Sequence, residues 1–177
     1  MDIISGLHNL RPHHKGCVLT IGNFDGVHRG HQQLIEHLRS QSQRLQLPTM
    51  LMTFEPQPRE FFAGAMLPAR LTRFREKVHL LERTGLDRLL CMPFNEQTSQ
   101  IPAEWFAEEF LTELVDARYV VIGDDFRFGH ERKGDFQLLQ DSGARLGYEV
   151  ISVDTVLQGG DRVSSTLVRS TLSAGDF

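Results

Sequence analysis

The chain has 177 residues, 40% of them hydrophobic and 24% charged, a size and balance that fit one globular domain and exclude a collagenous, disordered or low-complexity chain. A net charge of −4 argues against nucleic acid as a partner, because a sequence-independent grip on phosphates needs an excess of Lys and Arg. Cys17 and Cys91 stand without a CxxC or a Cys/His pair, no apolar run approaches a membrane span, and residues 1–15 lack the apolar core of a signal peptide, so a cytoplasmic protein with no membrane partner is expected.

Short apolar runs recur in chain order, each followed by a helical pattern. Val18 to Ile21 stops at Gly22, and apolar residues Leu34, Ile35, Leu38 and Leu45 then recur at helical spacing between Gly30 and Leu47. Thr49 to Phe54 stops at Glu55-Pro56. Thr72 is placed to cap a helix bearing Phe74, Val78 and Leu81 that Gly85 ends, and the basic stretch from Arg70 to Lys77 reads as a solvated helix face. Arg88 to Met92 stops at Pro93, and Pro102 suits the first turn of a helix with Trp105, Phe106, Phe110 and Leu114. Tyr119 to Ile122 stops at Gly123, and Asp135 starts a helix that runs to Gly147. Tyr148 to Val153 is the last strand, and Ser165 to Ser173 the last helix. Strand and helix in alternation predict an α/β fold: an open, mainly parallel sheet with helices on both faces and right-handed crossovers. Ligands of such sheets bind beyond the carboxyl ends of the strands.

The residues that follow the strands carry the chemistry. After the first strand comes GNFDGVHRGH, residues 22–31. Its glycines let the backbone turn closely, and His28 and His31, three residues apart at a helix start, share one face. A helix N-terminus attracts anions through unpaired N–H groups and the dipole, and imidazoles there add donors whose protonated form a phosphate favours. Polyphosphate binding is one reading. Capping or surface histidines are another, and a metal held by Asp25, His28 and His31 a third, short of one ligand. Near the end, RVSSTLVR (residues 162–169) places Ser/Thr hydroxyls at a second helix start, with Arg169 one turn on. GDDFRFG (123–129) interleaves aromatics with charge, and FEPQP (54–58), with Phe61 and Phe62 beyond it, stiffens a loop whose aromatics suit an apolar slot.

GNFDGVHRGH, TFEPQP (53–58), GDDFRFG and RVSSTLVR, in that order, resemble the adenylyltransferase module of bacterial bifunctional riboflavin kinase/FMN adenylyltransferases, or FAD synthetases. The HxGH element alone marks the wider nucleotidyltransferase superfamily; its combination with FEPxP and GDDFRFG is more specific. The resemblance runs through nearly the whole chain. It implies a Rossmann-like nucleotidyltransferase fold over residues 1–177 that makes FAD and pyrophosphate from ATP and FMN with Mg²⁺, without a covalent enzyme intermediate. His28, His31 and Arg169 would be catalytic. Gly22, Phe24, Asp25, Asp125, Ser164, Ser165 and Thr166 would complete the ATP site, and Phe54, Pro56, Pro58, Phe62 and Phe128 would border the flavin. Mg²⁺ would be held through ATP phosphates, with no metal ligand assigned to the protein. Gln57 stands where many relatives have histidine, which argues against an essential imidazole there. In the full-length family a riboflavin kinase domain follows, and none is expected within residues 1–177. The rival functions are transfer to another phosphate acceptor and a flavin or nucleotide sensor without turnover.

Overall fold

The computed structural model describes residues 1–63, 69–154, 156–158 and 161–175. In chain order the strands are β1 (Asp2–Ser5), β2 (Cys17–Ile21), β3 (Thr49–Glu55), β4 (Arg88–Pro93), β5 (Ala117–Gly123) and β6 (Glu149–Val153), with a short pair β7 (Leu157–Gln158) and β8 (Asp161–Arg162). The helices are α1 (Arg29–Leu45), α2 (Pro58–Phe62), α3 (Phe74–Glu82), α4 (Glu96–Ser99), α5 (Ala103–Trp105), α6 (Phe136–Leu146) and α7 (Ser165–Ala174); α5 runs on as a π-helix over Phe106–Leu114.

The six strands form one sheet in the order β1-β4-β3-β2-β5-β6, every neighbour parallel. Side chains alternate across a strand, so each strand feeds two cores. Leu19, Ile21, Met50, Met52, Leu90, Met92, Val120 and Ile122 point to one face, where Phe106, Phe110, Leu111 and Leu139 cover them. Val18, Leu51, Leu89, Tyr119 and Val121 point to the other, under Ile35 and Leu38 of α1 and Leu81 of α3. Burial on both faces explains the near-continuous apolar runs.

The expected α/β sheet is present, with differences that have local causes. β1 went unread because, of its four residues, only Ile4 is buried, while Ile3 is 49% exposed. Thr72 does not cap α3: Arg73 holds that position, and the Thr72 hydroxyl is spent on Asp25 and Gly26. The stretch from Arg70 to Lys77 is no solvated face, since Lys77 is fully buried and Arg70 is clamped between Glu55 and Glu60. Asp135 does cap α6, accepting from Leu138 N–H at 3.0 Å, and Gly147 ends it in the left-handed conformation. Among the described residues no helix is long and apolar enough to cross a membrane.

Candidate active site

β2 ends at Ile21, and the chain must then turn sharply into α1. Gly22 N–H donates to Met52 O at 3.0 Å, and three residues of the turn lie at positive φ: Phe24 (48°), Gly26 (82°) and Val27 (41°). For a bulky or β-branched side chain that region costs on the order of 1–3 kcal/mol. Burial over-determines it: Phe24 is 0% and Val27 5% exposed, so neither can relax without leaving the core. A side chain on Gly22 would stand 3.0 Å from the Phe24 ring.

Asp25 is the anchor of this turn. Its carboxylate is 2% exposed and accepts from Leu71 N–H (3.1 Å), Thr72 N–H (3.0 Å), the Thr72 hydroxyl (3.2 Å) and the Arg169 guanidinium. Burial alone would raise its pKa, but the Leu71 and Thr72 N–H groups and Arg169 outweigh it and hold the carboxyl below the usual carboxylate range.

The turn delivers His28 to the N-cap of α1 and His31 to its first turn. Their rings stack at 3.6 Å between centroids and 21° between planes, and Phe24 lies against His31 at 4.7 Å. Neither Nδ1 has a hydrogen-bond partner among the described residues. Burial, then the neighbouring His28 and Lys77, press the His31 pKa down to about 3, against the pull of Asp25. Burial also lowers His28, with Asp25 opposing and Arg162 assisting. Both rings are therefore uncharged at neutral pH, unlike the protonated imidazoles expected beside a phosphate.

The second helix start closes over the first. Ser164 caps α7 by accepting from Leu167 N–H at 3.2 Å, and the Ser165 hydroxyl donates to Asp25 O at 2.9 Å. Arg169 Nε donates to Ala69 O at 2.6 Å while its other nitrogen holds Asp25. A Cβ on Gly30 of α1 would meet Val163 O at 3.4 Å, so the two N-termini nearly touch. Arg162 lies across the mouth, 2.7 Å from Asp125 and 3.6 Å from Asp124.

These elements enclose a cleft of about 260 Å³ beyond the carboxyl ends of β2 and β5. It gathers Gly22, Phe24, Asp25, His28, His31, Asp125, Ser164, Ser165, Thr166 and Arg169, all ten residues of the ATP site implied by the resemblance. The five flavin residues are not brought together there. Phe128 is 8% exposed and packs in the core against Phe106 (5.2 Å) and Phe126 (5.5 Å); Phe126 lines the cleft instead. Phe54 stands edge-on to Phe94, which also touches Phe61 and Phe62, and Phe62 is 68% exposed. Pro56, in a cis peptide, and Pro58, at the start of α2, flank Gln57, which does reach the cleft.

Sequence reasoning gave no role to Arg162, Gln57 or Arg59 as cleft residues, nor to Lys77. For Lys77 the signal was available: with Phe74, Val78 and Leu81 it shares the i, i+3, i+4, i+7 stripe that faces the core.

Four carboxylates line the cleft, those of Asp25, Asp124, Asp125 and Asp154. The Asp25 carboxylate is committed to four donors, and Asp125 to Arg162. Among the described residues the group close enough to share one ion is Asp2, His13 and His14, at the amino end of the sheet. There His14 Nδ1 accepts from Arg11 N–H at 3.0 Å, which puts the ring proton on Nε2, facing Asp2 at 2.9 Å. That nitrogen has no lone pair for a metal.

The chain is 47% identical over 174 residues to the bifunctional riboflavin kinase/FMN adenylyltransferase of Escherichia coli (strain K12), covering 98% of this chain and 56% of that protein. It is 46% identical to the protein of the same description from Pseudomonas fluorescens, over 100% of this chain and 57% of that one. The chain thus spans little more than half the length of these curated relatives. A solved structure described as a macrolide-efflux protein from Streptococcus pneumoniae superposes with a TM-score of 0.85 at 26% identity, over 99% of this chain and 57% of that chain. The family model for FAD synthetase matches residues 10–167, a span that contains both helix starts and every cleft residue named above except Arg169, and the chain belongs to the FAD synthetase family.

Proposed function

We propose that residues 1–177 form one adenylyltransferase module that moves AMP from Mg-ATP to the phosphate of FMN, releasing pyrophosphate and leaving FAD. The observation that carries this reading is the convergence of two helix N-termini on one cleft: α1 with His28 and His31, and α7 with Ser164, Ser165 and Arg169. The acceptor is taken from the relatives described as FMN adenylyltransferases.

The chemistry asks little of a base. An FMN phosphate oxygen is already anionic; it forms a bond to the α-phosphorus of ATP, and the bond from that phosphorus to the bridging oxygen breaks, its electron pair leaving with pyrophosphate. The obstacle is repulsion, about 4 kcal/mol for two unit charges 4 Å apart at an effective dielectric near 20. The chain's answer is positioning and charge stabilisation. His28 and His31, as neutral donors, and the positive end of the α1 dipole would take the charge growing on the α and β phosphates. Ser164 keeps its hydroxyl proton while it caps α7, so it can still donate; with Ser165, Thr166 and Arg169 it would hold the departing pyrophosphate. Mg²⁺ would enter on the triphosphate as part of the substrate, drawing few ligands from the chain, as suits a hard cation that keeps its own oxygen shell.

The aromatic group of Phe54, Phe61, Phe62 and Phe94 stands beside the loop whose Gln57 lines the cleft, and it offers the isoalloxazine an apolar bed bordered by Pro56 and Pro58. Two free, buried cysteines suit a reducing cytoplasm. Incubation with FMN and Mg-ATP followed by chromatography tests the reading. FAD and pyrophosphate in equal amounts are expected; binding of both substrates with neither product formed would reduce the cleft to a sensor.

A further inference from the structure

Lys77, on α3, has no solvent-accessible surface, and its ammonium meets no hydrogen-bond acceptor among the described residues. An unpaired buried cation is costly, and burial lowers the Lys77 pKa below the ordinary lysine value, with Glu55 and Asp25 opposing. The charges that bear on it come from several elements. Glu55 at the end of β3 and Asp25 in the turn after β2 attract it, Arg70 repels it, and Cys91 of β4 lies near. His31 of α1 and Glu60 of α2 feel its charge in turn.

Two sets within this group are already paired: Arg70 with Glu55 and Glu60, and Arg169 with Asp25. With Lys77 the cluster holds three carboxylates and three basic groups. Arg169 has two claims on it. It lines the cleft, where a phosphate would draw it, yet its guanidinium is spent on Asp25 and on Ala69 O. Asp25 is too deeply buried to be left without a cation. The imidazoles of His28 and His31 also face it, but burial keeps both uncharged at neutral pH.

We propose that Lys77 is the reserve counter-ion of Asp25: it takes over the carboxylate when Arg169 turns to the phosphates, and so makes that arginine releasable. Lys77 is a positioning residue. It does not line the cleft and acts only through Asp25 and Arg169. The link to phosphate rests on the reading of the cleft as a nucleotide site; the pairing of charges does not.

Thermal unfolding of the ligand-free protein tests the pairing. Arg169→Met and Lys77→Met should each shift Tm little, because the other cation remains, while the double variant should lose at least about twice the sum of the two. Asp25→Asn should abolish that excess, and Lys77→Arg in the Arg169→Met background should behave like Arg169→Met alone. Additive shifts overturn the proposal. Should a single variant fail to fold, Asp25→Asn/Lys77→Met, which lacks both charges, should fold and melt near Asp25→Asn; a large further loss there would assign Lys77 to packing and overturn the proposal.

Calorimetry tests the link to Arg169. Lys77→Met should bind Mg-pyrophosphate about tenfold more weakly or worse, with FMN affinity unchanged and Lys77→Arg restoring the loss; wild-type pyrophosphate affinity in Lys77→Met overturns the link. Non-additive melting in a protein that binds no Mg-ATP would support the counter-ion and sink the nucleotide reading, which tells the two failures apart.

Discussion

Arg169 and Asp25 lie 144 residues apart in sequence and share an ion pair inside the cleft. The pair ties the last helix to the first turn, and the Ser165 hydroxyl on Asp25 O makes the tie double. A residue proposed to hold the leaving group is therefore held on a buried carboxylate.

This placement sets what Arg169→Ala does. On the proposed role, loss of the guanidinium removes charge-assisted hydrogen bonds to phosphate, worth about 1.5–3 kcal/mol each, while nothing at the Phe54–Phe94 aromatics changes. Mg-ATP and pyrophosphate should bind at least about tenfold more weakly, and FMN almost as well as in the wild type. Titration calorimetry with each ligand decides it. Equal losses for pyrophosphate and FMN would remove Arg169 from the phosphate site.

The depressed His31 pKa makes stability depend on pH. The folded state keeps the ring neutral down to about 3, whereas the unfolded chain protonates it near 6.5, so between those values the unfolded state binds the extra proton. Stability is then full above about 6.5 and falls as the pH drops toward 3. From pH 7 to 5 the loss from His31 alone is about 2 kcal/mol. Asp25 adds to the same trend further down, its depressed carboxyl losing its contribution below the usual carboxylate pKa. Urea unfolding at pH 7 and pH 5 should show the drop, and His31→Gln should remove most of it; an unchanged slope in His31→Gln would place the proton elsewhere.

The same ring should matter for turnover. A single donor aimed at developing charge is worth about 10²–10³ in kcat, so His31→Ala should lose that much while its melting temperature at pH 7 stays close to wild type. Steady-state FAD formation measures it, and near-normal turnover would leave His31 as a packing residue stacked between His28 and Phe24.

Much of this was legible from the chain alone, and the misses share one cause. The strands β2 to β5 were readable because most of their length is buried on both faces and reads as a largely apolar run, and β6 by its apolar Val150, Ile151 and Val153; β1 was not, since Ile4 alone enters the core. The cleft residues could be named because they follow strand ends and open helices, positions where backbone geometry dictates residue type. What a linear reading does not carry is which distant group answers each charge. Asp25 lines the cleft as expected but also anchors residues 71 and 72, which the sequence did not show; Lys77 and Arg70 looked solvated and are buried or clamped. Phe126 and Phe128, two apart in one loop, were indistinguishable until packing sent Phe128 into the core and left Phe126 at the cleft.

Phe62 and Phe128 were given the same expected role and stand in opposite environments, so paired substitutions separate packing from recognition. Phe128 is 8% exposed among Phe106, Phe126 and the backbone of Gly134, where a Cβ would lie 2.6 Å from its ring. Removing that ring leaves a cavity, and Phe128→Ala should cost about 3–5 kcal/mol of stability. Phe62, 68% exposed, touches Phe61 at 5.1 Å and Phe94 at 5.7 Å; Phe62→Ala should stay within about 0.5 kcal/mol of wild type. If the exposed rings hold the flavin, the order reverses for FMN: Phe62→Ala weakens binding about fivefold or more, the worth of an aromatic pair near 1 kcal/mol, while folded Phe128→Ala binds FMN as the wild type does. Flavin fluorescence quenching at a temperature where both variants are folded compares them directly. Stronger loss of FMN in Phe128→Ala than in Phe62→Ala would mean that the flavin reaches the core side of this loop, and that the aromatic bed beside β3 serves another purpose.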